Sequence, residues 1–174
     1  PYEMARHEFE ATRQVRELGV NAPEPVEAFE VDGFGVLVLE YLPEFRTLGE
    51  LDAARVVELA PDLFATLRTI HDAGLAHGDL RAENVLVYDG ELYVIDATRV
   101  SEDGREEARV YDIASALAAL EPLVGAATAV DAALSSYEVD DVASAERFLD
   151  FVAVRPDHEF DRPALKAEID EGET

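Results

Sequence analysis

The sequence predicts an α+β chain in which one helix and an antiparallel strand pair precede a mainly helical remainder. Three observations predict it. Apolar residues recur at helical spacing in the opening segment and again through most of the chain after residue 48. Two apolar strand pairs are each divided by an Asp-Gly turn, Asp32-Gly33 and Asp89-Gly90. Gly19 and Gly74 fall where helices would stop, because a left-handed residue past the last turn is easiest for glycine. With 174 residues, 48% of them hydrophobic, the chain is long enough for a single sizeable core. It has no repeat or low-complexity linker, so no second domain is expected.

Taken in order, residues 2–18 carry Met4, Ala11, Val15 and Leu18 at helical spacing, with Gly19 as C-cap and Pro23 beyond. Residues 26–31 and 36–41 read as strands around Asp32-Gly33, and Leu42-Pro43 closes the second. Residues 48–59 read as a helix. A longer one starts near Pro61, which suits a first-turn position where its missing amide proton would be unpaired anyway, and runs to about Ala73. Leu75-Ala76 then leads into a polar turn, two short strands at 85–87 and 92–95, and a charged loop over 101–107. Helices are expected over 108–120, 126–137 and 142–152, with Asp140-Asp141 near the N-cap of the last, and a short one over 163–169.

Charge narrows the function classes. Thirty-nine acidic residues against 14 basic ones give a net charge of -25, and Lys166 is the single lysine. Such an excess repels nucleic-acid backbones and anionic membranes at long range, so neither is an expected partner. Arginine in place of lysine on an acid-rich chain resembles proteins of salt-accumulating archaea, where self-repulsion is screened over a Debye length of about 3 Å at 1 M salt. The absence of cysteine excludes disulfides, thiolate metal sites and a cysteine nucleophile. With no signal-peptide pattern and no apolar run near 18 residues, the expected location is cytoplasmic. His7, His71 and His158 stand apart from one another without metal-ligand spacing.

The chemistry concentrates in His77-Gly78-Asp79-Leu80-Arg81-Ala82-Glu83-Asn84, followed after the two strands by Ile95-Asp96. A loop with Asp79 at one end and Asn84 at the other, and a returning strand that ends in Asp96, brings two carboxylates and an amide together. Phosphoryl transfer needs such a set: one carboxylate to orient or deprotonate the attacking hydroxyl, an amide and a second carboxylate to hold divalent ions.

These residues resemble the protein-kinase-like superfamily. His77-Gly78-Asp79-Leu80 with Asn84 is similar to its catalytic loop, and Asp96 to its magnesium-binding Asp. The His-Gly-Asp spelling is similar to the atypical branch: RIO-type kinases and ATPases, and aminoglycoside or choline phosphotransferases. The resemblance covers residues 8–120 and implies a protein-kinase-like fold, with residues 1–42 as a partial N-lobe of helix plus antiparallel strands and residues 43–174 as a mainly helical C-lobe. It implies ATP and Mg2+ as cofactors, Asp79 as the catalytic or substrate-orienting carboxylate, and Asn84 and Asp96 as metal ligands. Arg81 would reach the transferring phosphate; a surface ion pair would account for it equally well. Glu40 and Leu42 lie where the nucleotide-binding hinge falls, and Glu10, with Glu8 as substitute, resembles the helix Glu that pairs with a strand Lys. Asp112 resembles a buried Asp that braces the catalytic loop, and His77 is expected to pack and orient that loop.

Two departures shape the reading. No Gly-rich loop and no strand Lys are present, so the phosphate-clamping strands are expected to precede residue 1 or to be missing. Ala97-Thr98 stands where Phe-Gly would follow Asp96, and the short link to the next helix leaves little room for a peptide-docking segment. The resemblance therefore implies a RIO-like kinase or ATPase acting on a protein or on its own Asp96. A small-molecule phosphotransferase and a nucleotide-binding pseudokinase are the alternatives.

Overall fold

In the computed structural model, which describes residues 2–97, 105–156 and 158–174, helix α1 (Tyr2–Glu17) lies across the hairpin formed by β1 (Pro25–Val31) and β2 (Phe34–Leu39). Ala5, Ala11, Thr12 and Val15 form the buried stripe of α1, whereas Met4, expected on that stripe, is 71% exposed. Asp32 and Gly33 both take positive φ, at 51° and 84°, so the hairpin closes through a two-residue turn whose twist matches that of the strands.

The connection to the helical part contains a strand that the sequence does not advertise. Arg46–Thr47 forms β3 and pairs antiparallel with β4 (Val85–Tyr88), which pairs in turn with β5 (Glu91–Val94) through a positive-φ turn at Asp89 and Gly90. Two residues are too few to show alternation.

The segment after β3 corrects the expected boundaries. Leu48–Glu50 is a single 3-10 turn, and one helix, α2 (Ala53–Asp72), replaces the two expected, with Pro61 in its interior. Asp52 sets the start by accepting the Arg55 amide at 2.8 Å. The stripe Val56, Leu59, Ala60, Leu63, Phe64, Leu67 and Ile70 is continuous through Pro61, so core packing overrides the breaker. Pro61 and Val57, the residue whose carbonyl it cannot bond, both face solvent, where water can take the unpaired group. At the other end, Gly74 at φ 77° donates to the His71 carbonyl and Leu75 to the Ile70 carbonyl, the paired bonds of a Schellman cap.

Four more helices follow among the described residues: α3 (Arg105–Val124), α4 (Ala126–Leu134), α5 (Val139–Ala153) and α6 (Arg162–Gly172). Helix α3 begins at Arg105, so residues 105–107 are helical where a loop was expected; Glu106 and Glu107 in its first turn favour that end of the helix dipole. Residues 98–104, which include Thr98 and the rest of that loop, lie outside the described residues. Helix α5 starts after Glu138, and Asp141 returns a bond to the Glu138 amide as part of a capping box. Helix α3 is buried on nearly every side from Asp112 to Leu120 and forms the axis of the main core, against α2, α4 and α5.

A smaller apolar cluster of Val15, Val20, Ala22, Ile70, Val94 and Ala97 ties the end of α1 to the end of α2 and to β5. It fixes both flanks of Asp96. No helix of the described residues is long and apolar enough to cross a membrane.

Replacing the solvent-facing Pro61 with Ala restores an amide donor without touching the core. Pro61→Ala should raise the unfolding free energy by about 1–2 kcal/mol, part of the roughly 3 kcal/mol that separates Pro from Ala in a helix interior. Urea titration with an unchanged m-value checks it, and a loss of stability would mean that the turn at Pro61 is required by the packing around it.

Candidate active site

The polar loop between α2 and β4 hangs on one carboxylate. Asp112, fully buried on α3, accepts the His77 amide at 2.7 Å on Oδ2, the Gly78 amide at 2.8 Å on Oδ1, and His71 Nε2 at 2.9 Å on Oδ2. Gly78 takes φ 85°, so the peptide that turns into Asp112 suits glycine. The other nitrogen of His71 lies 2.6 Å from the Tyr137 hydroxyl. Burial pushes the Tyr137 hydroxyl well above the usual phenol range, so it stays protonated and donates to Nδ1. On the other side of the ring, Nε2 of His71 donates to the Asp112 carboxylate. His71, expected to be isolated, is thus part of the brace. Nothing in the sequence relates it to Asp112, 41 residues away.

His77 links the loop to the returning strand. Its Nδ1 accepts the Asp79 amide at 3.2 Å, so Nε2 carries the proton and donates to the Ile95 carbonyl at 2.7 Å. From the other side, the Ile95 amide donates to the Asn84 carbonyl at 3.0 Å. Both backbone polar groups of Ile95 are held, and Asp96 follows with φ 57°, a left-handed conformation that Asp tolerates at modest cost. The buried Asn84 donates Nδ2 to the Asp79 carbonyl at 2.8 Å, which leaves its amide oxygen for another partner. These bonds bring Asp79, Asn84 and Asp96 into one loop system.

The remaining sequence-derived candidates divide. Arg81 Nε donates to Asp79 Oδ1 at 3.0 Å, and its Nη1 lies 3.6 Å from Glu83. Glu10 is not brought to the site: it pairs with Arg13 at 3.0 Å on the outer side of α1. Glu8, one turn from both Ala5 and Ala11 on the inner face, hydrogen-bonds Asp96 instead. At the expected hinge the Glu40 amide donates to the Glu24 carbonyl at 2.8 Å, its Oε1 accepts the Glu24 amide at 2.9 Å and lies 3.7 Å from Arg16, and Leu42 is buried. A groove of about 500 Å³ between α1 and the hairpin, lined by Met4, Ala5, Phe34 and Leu37, opens onto Glu8.

A profile of the RIO domain matches residues 2–114. The chain belongs to the RIO family. It is 31% identical over 121 residues to the probable bifunctional tRNA threonylcarbamoyladenosine biosynthesis protein of Thermoplasma acidophilum, covering 69% of this chain and 21% of that one. The KEOPS complex subunit Bud32 of Pyrococcus abyssi is 30% identical over 105 residues, covering 58% of this chain and 46% of that one. The RIO-type serine/threonine-protein kinase Rio1 of Haloferax volcanii is 33% identical over 95 residues, 52% and 31% of the two chains. The chain thus spans less than half the length of these relatives. The structure of the Neurospora crassa PAN3 pseudokinase mutant matches 94% of this chain and 50% of that one at a TM-score of 0.51 and 14% identity, a likeness of fold alone. The protein is an atypical RIO-type, kinase-like chain whose fold is a partial kinase fold.

Within that family setting, the donor set suits a hard cation. The Asp96 carboxylate and Asn84 amide oxygen are hard oxygen ligands, and magnesium keeps several waters, so it needs no cage. Among the described residues, no group of three or more His, Asp or Glu side chains forms such a cage. Glu8 adds an observation of this structure: burial, and then the adjacent Asp96, raise its carboxyl to about 7, so two acidic side chains share this corner of the site.

Two outcomes follow. Asp112→Ala removes three acceptor bonds and strands two buried loop amides, and should cost about 3–5 kcal/mol of unfolding free energy by denaturant titration. Glu8 keeps its proton in the folded chain up to about pH 7 but loses it near 4.5 when unfolded. Its contribution therefore turns unfavourable as pH rises through that window. In buffer free of divalent cations, Glu8→Gln should stabilise the fold at pH 8 by roughly 1–2 kcal/mol, after allowing for solvent screening of a half-exposed group, and have little effect at pH 4. An equal effect at both pH values would contradict the assignment.

Proposed function

We propose that this RIO-family chain forms the catalytic-loop part of an ATP-dependent phosphotransferase or ATPase. The observation that carries the reading is the double hold on Ile95, whose carbonyl is bonded by His77 and whose amide is bonded to Asn84, because it sets Asp96 beside the loop that presents Asp79. Asp79 orients the acceptor hydroxyl and takes its proton. The oxygens of Asn84 and Asp96 hold the cation. Magnesium, when bound there, would neutralise charge on the transferring phosphate. Arg81 lies at the acceptor side, against Asp79. Residues 1–42 serve as the partial N-lobe.

The acceptor is proposed to be a protein, or Asp96 itself, with a small molecule as the alternative. Bud32 belongs by name to the KEOPS complex, and a larger assembly of that kind is a proposed setting for this chain too. The net charge of -25 supports a salt-rich cytoplasm and argues against direct contact with nucleic-acid backbones. One observation favours a second reading, nucleotide binding without turnover: Glu8 hydrogen-bonds Asp96, the carboxylate assigned to the metal.

Magnesium-dependent ATP hydrolysis by the full-length gene product in multimolar KCl separates the two. The phosphotransferase reading expects turnover that falls by at least about a hundredfold in both Asp79→Ala and Asp96→Ala. Nucleotide binding without turnover would establish the second reading, and no nucleotide binding would end both.

A further inference from the structure

We propose that Arg155 is a positioning residue of the transfer site, one that fixes the carboxylate plane of Asp79. The inference rests on the phosphotransferase reading above. Arg155 lies just past the end of α5, in a turn closed by its own amide on the Val152 carbonyl at 3.1 Å. Its Nη1 is 3.1 Å from Asp79 Oδ1 and donates to the Tyr111 hydroxyl at 2.9 Å, and its guanidinium lies over the Tyr111 ring at 6.0 Å. Tyr111 immediately precedes Asp112 on α3, so the helix that braces the loop backbone also anchors the cation that meets the loop side chain.

Two cations converge on one oxygen. Arg81 Nε and Arg155 Nη1 both approach Oδ1, from residues 2 and 76 positions away along the chain. A carboxylate without such contacts rotates about its last bond and presents either oxygen. With Oδ1 committed to two guanidinium groups, Oδ2 is the oxygen that faces the acceptor. An ion pair in open solvent would constrain little. Here the Arg155 and Asp79 side chains are 31% and 27% exposed, and the Tyr111 hydroxyl and ring hold the arginine in one pose. During transfer the hydroxyl proton passes to Oδ2 as the acceptor oxygen bonds the transferred phosphorus and the nucleoside diphosphate leaves. Arg155 makes and breaks no bond.

The test compares Arg155→Ala, Arg155→Lys and Tyr111→Phe in the full-length gene product, with Arg147→Ala as control, since Arg147 lies over the Phe148 ring on the same helix. MgATP hydrolysis and the unfolding midpoint are measured for each. Arg155→Ala should lower kcat by roughly ten- to a hundredfold while the KM for MgATP stays within about twofold. Arg155→Lys should recover part of the loss, Tyr111→Phe should show a smaller loss in the same direction, and Arg147→Ala should show none. A folded Arg155→Ala protein with wild-type kcat overturns the inference, and so does a loss of rate that merely follows a lowered unfolding midpoint.

A second readout does not need turnover. The 13C resonance of the Asp79 carboxyl carbon, identified by its disappearance in Asp79→Asn, should move in Arg155→Ala and Tyr111→Phe and stay in Arg147→Ala. An unmoved resonance overturns the inference even if the wild type is active. A moved resonance in a protein that hydrolyses no ATP supports the contact and counts against the phosphotransferase reading alone.

Discussion

The carboxylate of Asp112 is the interaction on which the site depends. Removing a charge from water costs several kcal/mol, and a fully buried Asp is retained only where strong donors replace its hydration. The donors here are two loop amides and His71, and each charge-assisted bond is stronger than a neutral one. The energy that Asp112 recovers is therefore spent on shaping residues 77 and 78, which begin the loop that carries Asp79. Helix α3 can supply this brace because it is surrounded by core on nearly every side. From Asp112 the order passes through His77 to Ile95 and so to Asp96, each link a hydrogen bond between neighbours.

Much of this was legible in the chain itself. His77, Asp79, Asn84 and Asp96 stand at motif spacing around a hairpin that Asp89-Gly90 dictates, and their resemblance to the kinase catalytic loop implied the kinase-like fold class. The boundaries were less legible where packing opposed local propensity. Pro61 looks like a helix start, yet the apolar stripe from Val56 to Ile70 runs through it. Strand β3 has two residues and exists because β4 offers an edge. Glu8 was legible only as the substitute for Glu10: position 8 shares a face with Ala11 and Val15, which Glu10 does not at 3.6 residues per turn. Arg155 and His71 carry no local signal, since each is defined by a partner dozens of residues away.

Against a net charge of -25, the distribution of charge around the loop is specific. Asp79 is met by two arginines, whereas Asp96 is met by another carboxyl, that of Glu8. An acceptor-side group that needs a fixed orientation and a metal-side group that needs a cation would have these two surroundings. Membership of the RIO family agrees with that division without specifying the acceptor.

Asn84 and Asp96 are proposed to form the cation side of a nucleotide site. Paramagnetic broadening by Mn2+, added with a non-hydrolysable ATP analogue at high KCl concentration, tests it most directly. The account predicts nucleotide-dependent broadening centred on the amides of Asn84 and Asp96, extending to Asp79 and Glu8 and abolished in Asp96→Asn. Broadening spread over the acidic surface, the same with and without nucleotide, would contradict it.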